Sequence, residues 1–336
     1  MTTDPTLALV WAFIIAFAVF MYVVMDGFDL GIGILFPAFG VGEERDQAMN
    51  AIAPVWDCNE TWLVLGGGGL MAAFPLAFSI LMPAMYPPII AMLLGLVFRG
   101  VAFEFRWRDP RHRAFWDFAF TAGSVTAALA QGIVLGALLQ GIKVTGRGYG
   151  GGWLDWLTPF SLLTGVGVVA GYALLGACWL IFKAEGGTQQ HAYRLARVAG
   201  IAAALAVTAV SAATPFLEQR YYDRWLTFPD ILFAGSVPVL VGALSLGFWW
   251  ALLNKKELLP FVLTLGLYLL CFAGLGISMY PDIVPGSVSI LQAAAPRDSQ
   301  VFMLVGAGIM IPIILIYTAF SYWVFRGKVG DAGGYH

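Results

Sequence analysis

The stretch TWLVLGGGGLMAAFPLAFSILMPAMYPPIIAMLLGLVF, residues 61–98, runs for 38 residues without a charged side chain. An α-helix rises about 1.5 Å per residue and crosses the hydrocarbon core of a membrane in about 20 residues. The stretch is therefore too long for one crossing. Pro75 lies inside it, and proline disrupts a helix interior. We expect two membrane helices joined by a tight turn at Pro75.

The composition of the whole chain places it in the same class. Of its 336 residues, 60% are hydrophobic and 11% are charged, whereas soluble domains carry about 25% charged residues. This composition predicts a multi-pass membrane protein. The net charge of -2 gives no reason to expect a nucleic-acid partner. No Lys or Arg precedes the first apolar run, which therefore reads as a retained span instead of a cleaved signal.

Runs of uncharged residues predict nine membrane helices in one all-α domain over residues 1–336. In chain order the runs are 5–25, continuing to 39; 61–98, divided at Pro75; 118–142; 156–182; 198–217; 231–254; 258–280; and 301–325. Helices 1–4 take up about residues 5–142, and helices 5–9 about residues 156–326. A kink at Pro75 in place of a break would reduce the count to eight.

The basic residues indicate the orientation of this domain, because cytoplasmic loops carry an excess of Lys and Arg. With nine helices, one side collects twelve basic residues, the other side collects five, and Arg99 lies inside a span. The twelve are Arg45, Arg106, Arg108, Arg111, Arg113, Lys183, Arg194, Arg197, Lys255, Lys256, Arg326 and Lys328; the five are Lys143, Arg147, Arg220, Arg224 and Arg297. This division predicts an outside N-terminus and a cytoplasmic C-terminus.

Acidic side chains interrupt the apolar helices at a few points. Asp26 and Asp29 lie three residues apart near the end of helix 1, and Asp57 and Glu60 have the same spacing at the start of helix 2. Residues at i and i+3 share one face of a helix. A charge at the bilayer centre costs roughly 3 kcal/mol on insertion scales. Carboxylates kept there at that cost call for a partner or a function.

A third charged segment lies near the cytoplasmic end of helix 3. It contains Arg99 and Glu104, and Trp56 and Trp62 bracket the acids of helix 2. Because consecutive helices usually pack side by side, we expect these charges to gather at one depth. One interpretation is a structural network in which Arg99 neutralises an acid or two. The other is a proton path, because titratable groups held near one membrane face are what such a path needs.

The histidines argue against a haem held within the membrane by this chain. The three are His112 in the arginine-rich loop, His191 in a polar segment and His336 at the end of the chain. A membrane haem usually needs a buried His ligand, sometimes with Met. The three cysteines, Cys58, Cys178 and Cys271, have no metal-type spacing and no disulfide pattern. We therefore expect any redox centre to belong to another chain.

Several motifs resemble subunit II of the cytochrome bd-type quinol oxidases. They are DGFDLGIG at 26–33, IAPVWDCNETWLVLGGGGLMAAFP at 52–75, FRGVAFEFR at 98–106, Trp116-Asp117, LLQGI at 138–142 and SMYPDIVP at 278–285. The resemblance covers essentially the whole chain, and NETW is closest to the cyanide-insensitive branch. The combination of DGFD with PVWDxNETW is specific to this family, whereas each motif alone is modest support.

The resemblance implies a fold and a function for the complex. The fold is two four-helix bundles plus one peripheral helix, in the bacterial inner (cytoplasmic) membrane. The partner is subunit I, which holds two haems b and haem d, so that this chain holds none. The complex oxidises quinol on the outer side and reduces oxygen to water with cytoplasmic protons. A structural quinone in this subunit and a small accessory single-helix subunit are left open.

The resemblance also assigns roles to individual residues. It implies that Asp26, Asp29 and Asp57 deliver protons towards haem d and that Trp62 lies on an oxygen route. Glu60, Arg99, Glu104 and Trp56 join the candidates by position. Two positions depart from the family: Cys58 replaces a common Gly, and Asp282 replaces a common aromatic residue. A secondary transporter is the alternative function. However, transporters usually have repeated halves, and here the internal acids are confined to helices 1–3.

Overall fold

The structure is a computed structural model that describes residues 4–229 and 231–329. This part of the chain is almost entirely helical. Its α-helices are α1 Pro5–Leu35, α2 Glu43–Asn50, α3 Trp56–Ala73, α4 Pro75–Ala84, α5 Tyr86–Arg108, α6 Arg113–Leu139, α7 Pro159–Lys183, α8 Gly186–Ala213, α9 Gln219–Leu226, α10 Ile231–Ala234, α11 Ser236–Leu253, α12 Leu259–Met279, α13 Ile290–Ala293 and α14 Arg297–Val324.

Eight helices of the described residues are long and apolar enough to cross a membrane. They are α1, α5, α6, α7, α8, α11, α12 and α14. The multi-pass, all-α prediction is therefore confirmed. One of the nine predicted spans, the second in chain order, corresponds to α3, which has 18 residues and is not among the eight, so the count of nine stays a prediction. The first turns of α3 carry Asp57 and Glu60, and these acids lower its apolar character.

The break at Pro75 is confirmed. Helix α3 ends at Ala73, Phe74 leaves the helical region at φ -133° and ψ 63°, and Pro75 begins α4. Proline suits the first turn of a helix because its missing N–H would have no partner there. The expectation of only two helices over 61–98 is wrong, however. A second break at Met85 separates α4 from α5, so the run forms three helices.

Helix α4 is too short to span a membrane, with ten residues against the roughly 20 required. It lies instead against two short hairpins. One joins β1 Val144–Thr145 to β2 Gly148–Tyr149, and the other joins β3 Asp282–Val284 to β4 Val288–Ser289. We call this end of the molecule, which comprises α4, α9, α13 and both hairpins, the hairpin end.

The predicted departure at Asp282 has a structural partner at the hairpin end. Arg220 lies between two carboxylates, with Nε 2.7 Å from Glu218 and Nη1 3.0 Å from Asp282. Asp282 also accepts the backbone N–H of Gly286 at 3.0 Å. Asp282 therefore ties β3 to α9.

The opposite end gathers the loops that the sequence assigns to the cytoplasm, and we call it the arginine-rich end. Lys183 at the end of α7 donates to the carbonyls of Phe325 and Gly327, at 2.5 and 2.7 Å. The hydroxyl of Tyr193 in α8 donates to the backbone carbonyl of Lys256 at 3.2 Å. The sidedness of the two ends stays a prediction.

Helix α1 lies at the centre and packs against α3, α6 and α7. Its contact with α7 is backbone to backbone: a Cβ placed on Gly31 would lie 1.8 Å from the carbonyl oxygen of Tyr172. Small residues allow membrane helices to approach this closely. The division into two four-helix bundles stays a prediction, and α7 packs against α1, α6 and α8 alike.

Candidate functional site

A buried charge cluster joins α1, α3 and α5. Asp26 and Arg99 have fully buried side chains, with 2.6 Å between Oδ1 and Nη1. Nη2 of Arg99 donates to Glu60 Oε1 at 2.9 Å, and the Glu60 side chain is 28% exposed. Arg99 therefore connects a sealed carboxylate to one that reaches the surface of the chain.

Trp56 lines the cluster from α3. Its ring stacks on Phe103 of α5, with 4.7 Å between centroids and 6° between planes. The Arg99 guanidinium lies 6.0 Å from the Trp56 ring centroid, a distance at which cation–π attraction still operates. Gly100 lies one residue after Arg99, and a Cβ there would come within 3.4 Å of the Trp56 ring. The glycine therefore leaves room for the tryptophan beside the arginine.

Asp29 is held by an amide, without a cation. It is completely buried, and its Oδ2 accepts the side-chain N–H of Asn59 at 2.7 Å. The same nitrogen donates to the carbonyl of Met25 at 3.3 Å, and Asn59 Oδ1 accepts the hydroxyl of Tyr322 at 2.9 Å. Among the described residues, no Lys or Arg lies within 4 Å of the Asp29 carboxylate. Three helices, α1, α3 and α14, thus hold this second carboxylate.

The structure does not bring every predicted site residue into the cluster. Asp57 is exposed in the first turn of α3. Glu104 pairs with Arg108 at 3.2 Å on the surface of α5, where the two side chains are 60% and 77% exposed. Asp57 precedes Glu60 by less than one helical turn and so lies near the mouth of the cluster. Glu104 points away from it.

Trp62 is fully buried two turns into α3, beside α1. Its ring meets Phe17 edge-on, with 5.7 Å between the centroids. It packs in one apolar group with Tyr22 and Met25, one turn or less before Asp26. Both predicted tryptophans therefore line the space around the acids, one on each side along α3.

A polar chain behind Asp26 was missed by the sequence reasoning. Tyr172 of α7 donates to Gln131 Oε1 of α6 at 2.6 Å, and Gln131 Nε2 donates to the hydroxyl of Tyr22 at 2.9 Å. Tyr22 lies four residues before Asp26 on α1, so the two share a helix face. In the sequence, a Gln or Tyr within an apolar run is indistinguishable from an ordinary packing residue. The four-residue spacing of Tyr22 and Asp26 on α1 was the usable signal for this chain.

A second charge network, at the arginine-rich end, was also missed. Arg106 is almost completely buried, with Nε 2.5 Å from Asp117 and Nη1 2.8 Å from Asp46. Arg45 reaches the other Asp117 oxygen at 2.7 Å, and Arg113 pairs with Asp46. From the sequence, these arginines indicate sidedness, and Arg106 also ends the family motif at 98–106. Asp117 belongs to another of the family motifs.

The α2 segment outside the spans is attached to α8 by Glu44. The carboxylate accepts the backbone N–H of Gly40 at 2.7 Å and lies 3.2 Å from Nδ1 of His191. The Gly40 hydrogen bond, followed by the His191 contact, holds the pKa of Glu44 below its usual value. His191 also packs its ring against Phe39, with 5.2 Å between the centroids.

The histidines of the described residues do not suit a haem. His191 directs a ring nitrogen to Glu44. His112 is 69% exposed and bonded to Asp109 at 2.8 Å, and His336 lies outside the described residues. No group of three or more His, Cys, Asp or Glu side chains within that part of the chain could hold a metal ion. Cys58 instead directs its thiol to the carbonyl of Val55 at 2.9 Å.

These features define a class: an all-helical, multi-pass membrane protein with an acid-rich charge cluster buried between its first spanning helices. Comparison with known proteins gives the particular family. The family model for cytochrome bd terminal oxidase subunit II matches residues 7–325. The chain belongs to this family, and the family does not favour the transporter alternative.

Two curated relatives extend over nearly the whole chain. Cytochrome bd-I ubiquinol oxidase subunit 2 of Escherichia coli (strain K12) is 30% identical over 361 residues, covering 96% of this chain and 95% of the relative. Cytochrome bd ubiquinol oxidase subunit 2 of Bacillus subtilis (strain 168) is 26% identical over 330 residues, covering 95% and 96%.

A solved structure shares the fold. The chain superposes on a chain of the bd oxidase from Geobacillus thermodenitrificans with a TM-score of 0.75, at 18% sequence identity. The match covers 96% of this chain and 99% of that one. At this level of identity the similarity supports the fold.

Proposed function

We propose that the chain is the haem-free subunit of a membrane-bound quinol:oxygen oxidoreductase and that it supplies protons to a haem-bearing subunit I. The relatives from Escherichia coli and Bacillus subtilis are named ubiquinol oxidase subunits, which supports quinol and oxygen as substrates of the complex. The partner would hold two haems b and haem d, and haem d would supply the chemistry of oxygen reduction. A structural quinone and an accessory single-helix subunit remain open in this proposal.

The observation that carries the proposal is the charge balance of the buried cluster. Asp26, Asp29 and Glu60 surround one cation, Arg99, and Asp29 has no ion pair among the described residues. Isolated charges in a low-dielectric interior are costly, and such groups usually become neutral instead. A carboxyl group that can be neutral or charged in one place can carry a proton. In a purely structural network each buried carboxylate would meet a cation, as Asp46 and Asp117 do.

The order of the residues suggests a direction for proton movement. Asp57 is exposed, Glu60 is partly exposed, and Asp26 and Asp29 are sealed. We propose that protons enter at Asp57 and Glu60 and reach the two aspartates of α1. Arg99 pairs with Asp26 through Nη1 and with Glu60 through Nη2. In the proposal, Trp56 and Trp62 exclude bulk water on either side of the acids.

The proposal includes the sidedness of the chain. In this proposal α3 crosses the membrane in addition to the eight longer helices, which makes nine spans. The protein lies in the inner membrane of a bacterium, with its N-terminus outside and its arginine-rich end facing the cytoplasm. The excess of basic residues at that end supports this orientation. Protons entering at the Asp57 end of α3 would then come from the cytoplasm.

Spectra and turnover of the purified oxidase test the proposal. We expect the chain alone to give no haem absorption and the complex with subunit I to give strong haem bands. Asp29→Asn and Asp57→Asn should each slow quinol oxidation by oxygen without changing those bands. A haem bound by the isolated chain, or full turnover in both variants, would contradict the proposal.

A further inference from the structure

We propose that Tyr322 and Asn59 are positioning residues that fix the Asp29 carboxyl group so that its Oδ1 atom alone receives the proton. The inference rests on the proposed function, and it adds a specific role for α14, the last described helix of the chain. It starts from the hydrogen bonds around Asn59, which join residues 263 positions apart in the sequence.

The hydrogen bonds fix which way the Asn59 amide faces. Its nitrogen lies 3.3 Å from the carbonyl oxygen of Met25, which can only accept, so the nitrogen also faces Asp29 Oδ2 at 2.7 Å and the oxygen accepts from the Tyr322 hydroxyl at 2.9 Å. An amide nitrogen only donates. Asp29 Oδ2 therefore accepts this bond, and a proton on the carboxyl group is favoured on Oδ1, which leaves Oδ2 free to accept. Within the described residues, Oδ1 has no hydrogen-bond partner.

The same chemistry excludes Asn59 as a proton carrier. A side-chain amide has no proton that it can release and regain at neutral pH, unlike a carboxyl group or water. A proton therefore cannot pass from Tyr322 through Asn59 to Asp29. Tyr322 and Asn59 therefore separate Asp29 from the space on the far side of Tyr322. In the proposal the proton reaches Asp29 from the side of Asp26 and Glu60.

A cavity of about 530 Å³ lies behind Tyr322 at the arginine-rich end. Its lining includes Asn50, Val55, Trp179, Lys183 and the chain from 324 to 329. Such a volume can hold several waters, since one water takes up about 30 Å³ in the liquid. The Tyr322–Asn59 pair is thus placed where it keeps a proton-accessible space from reaching Asp29 directly.

Tyr322 is held independently of its hydroxyl group. Its ring meets Phe28 of α1 and Trp179 of α7 edge-on, with 6.5 and 6.0 Å between centroids. Lys183 of α7 fixes the end of α14 through its bonds to Phe325 and Gly327. Replacing Tyr322 by Phe therefore removes the donor to Asn59 while the ring keeps its neighbours.

The ionisable groups around Asp29 come from four helices. Asp26 lies on the same helix, Glu60 and Cys58 come from α3, Arg99 from α5 and Tyr322 from α14. Tyr322→Phe removes one of these groups and one of the hydrogen bonds that hold the Asn59 amide against Asp29. The proton occupancy of Asp29 should then change, although no charged side chain has been altered.

The test compares Tyr322→Phe with Tyr317→Phe in the complete oxidase. Tyr317 lies on the same helix, is 59% exposed and has no hydrogen bond among those observed for its hydroxyl. We expect Tyr322→Phe to lower turnover by about three- to tenfold and to move the pH–rate profile by about half a pH unit, the size of one hydrogen bond. Tyr317→Phe should do neither, and haem absorption should stay unchanged in both.

Infrared difference spectra give a readout that a general loss of stability would not move. The carboxyl stretch of Asp29 is identified by its disappearance in Asp29→Asn, and it should shift in Tyr322→Phe but not in Tyr317→Phe. If Tyr322→Phe matches Tyr317→Phe in every readout while Asp29→Asn slows the enzyme, the positioning role is wrong and the proposed function stands. If Asp29→Asn has full activity, both fail.

Discussion

The two charge networks of this protein have opposite balances. The cluster around Arg99 holds three carboxylates to one arginine, whereas the network around Arg106 holds three arginines to two aspartates. In the second network every carboxylate meets at least two cations. In the first, Asp29 meets none among the described residues. The comparison leads us to propose that a functional charge is marked by a carboxylate without a cation, and not by burial alone.

The two networks also differ in their distance from solvent. Asp46 and Arg113 are each about one-third exposed, so water reaches part of the Arg106 network. Asp26, Asp29 and Arg99 are fully buried. The Arg106 network also stacks on aromatic rings, with the Arg106 guanidinium 5.4 Å from Phe36 and 4.9 Å from Trp107. The Arg106 network joins α2, α5 and α6, as expected of ion pairs that stabilise the packing of helices.

The largest expected effect comes from removing the only cation of the first cluster. Arg99→Leu leaves Asp26 and Glu60 without a counterion, and breaking a buried ion pair on one side costs about 3–5 kcal/mol. We expect a large fall in the thermal stability and yield of the complex. Arg108→Leu is the matched control, because its pair with Glu104 is exposed and such pairs contribute about 0–1 kcal/mol. Equal stability of the two variants would break the comparison.

A smaller effect is expected in the second network. Asp117→Asn keeps the size of the side chain but removes the charge that faces Arg45 and Arg106. A hydrogen bond to a charged group contributes about 1.5–3 kcal/mol, and we expect a loss of that order in unfolding experiments. Turnover per assembled complex should stay at the wild-type level. A variant that folds normally but turns over slowly would show that the second network also serves catalysis.

Glu104 sharpens the comparison at the edge of the first cluster. The sequence places it among the site residues, but its side chain is 60% exposed and pairs with Arg108. We expect Glu104→Gln to change stability by no more than about 0.5 kcal/mol, as surface substitutions do, and to leave turnover unchanged. A clear loss of turnover would place Glu104 on the proton path, through a surface that the partner covers.

The smallest expected effect is a pH dependence at the arginine-rich end. The pKa of Glu44 is lowered in the folded protein, chiefly by the Gly40 N–H. Its contribution to stability is therefore present above the ordinary pKa of a glutamate and is lost as the pH falls through the lowered value. The melting temperature of Glu44→Gln should lie slightly below wild type at pH 7 and converge with it near pH 3–4, by the reference values for Glu. Glu185→Gln, an exposed neighbour at the same end, should show no such convergence.

The sequence could predict the parts of the fold that depend on local chemistry. The break at Pro75 follows from the missing proline N–H. The second break, at Met85, was missed because Pro87 and Pro88 were not treated as the first turn of a helix. The contact of Arg99 with Asp26 and Glu60 was expected from three neighbouring helices, and it is present.

The parts that could not be predicted depend on distant residues or on burial. Tyr322 meets Asn59 across almost the whole chain, and no spacing rule connects them. Arg106 lies in a loop-like, arginine-rich stretch, and the sequence does not distinguish a buried arginine there from its exposed neighbour Arg108. Asp57 and Glu60 share a helix face by spacing, yet Asp57 is exposed whereas Glu60 is only partly exposed and pairs with Arg99.

The central claim is that Asp29, which meets no cation among the described residues, moves protons, whereas Asp117, which meets two arginines, does not. The most direct measurement is the rate of proton uptake from the arginine-rich side during oxygen reduction, in vesicles that contain the oxidase, for Asp29→Asn and Asp117→Asn. We predict that Asp29→Asn slows uptake at least about tenfold, in line with the loss of one proton-transfer group, while Asp117→Asn matches wild type per assembled complex. Wild-type uptake in Asp29→Asn, or equal slowing in both variants, would contradict the account.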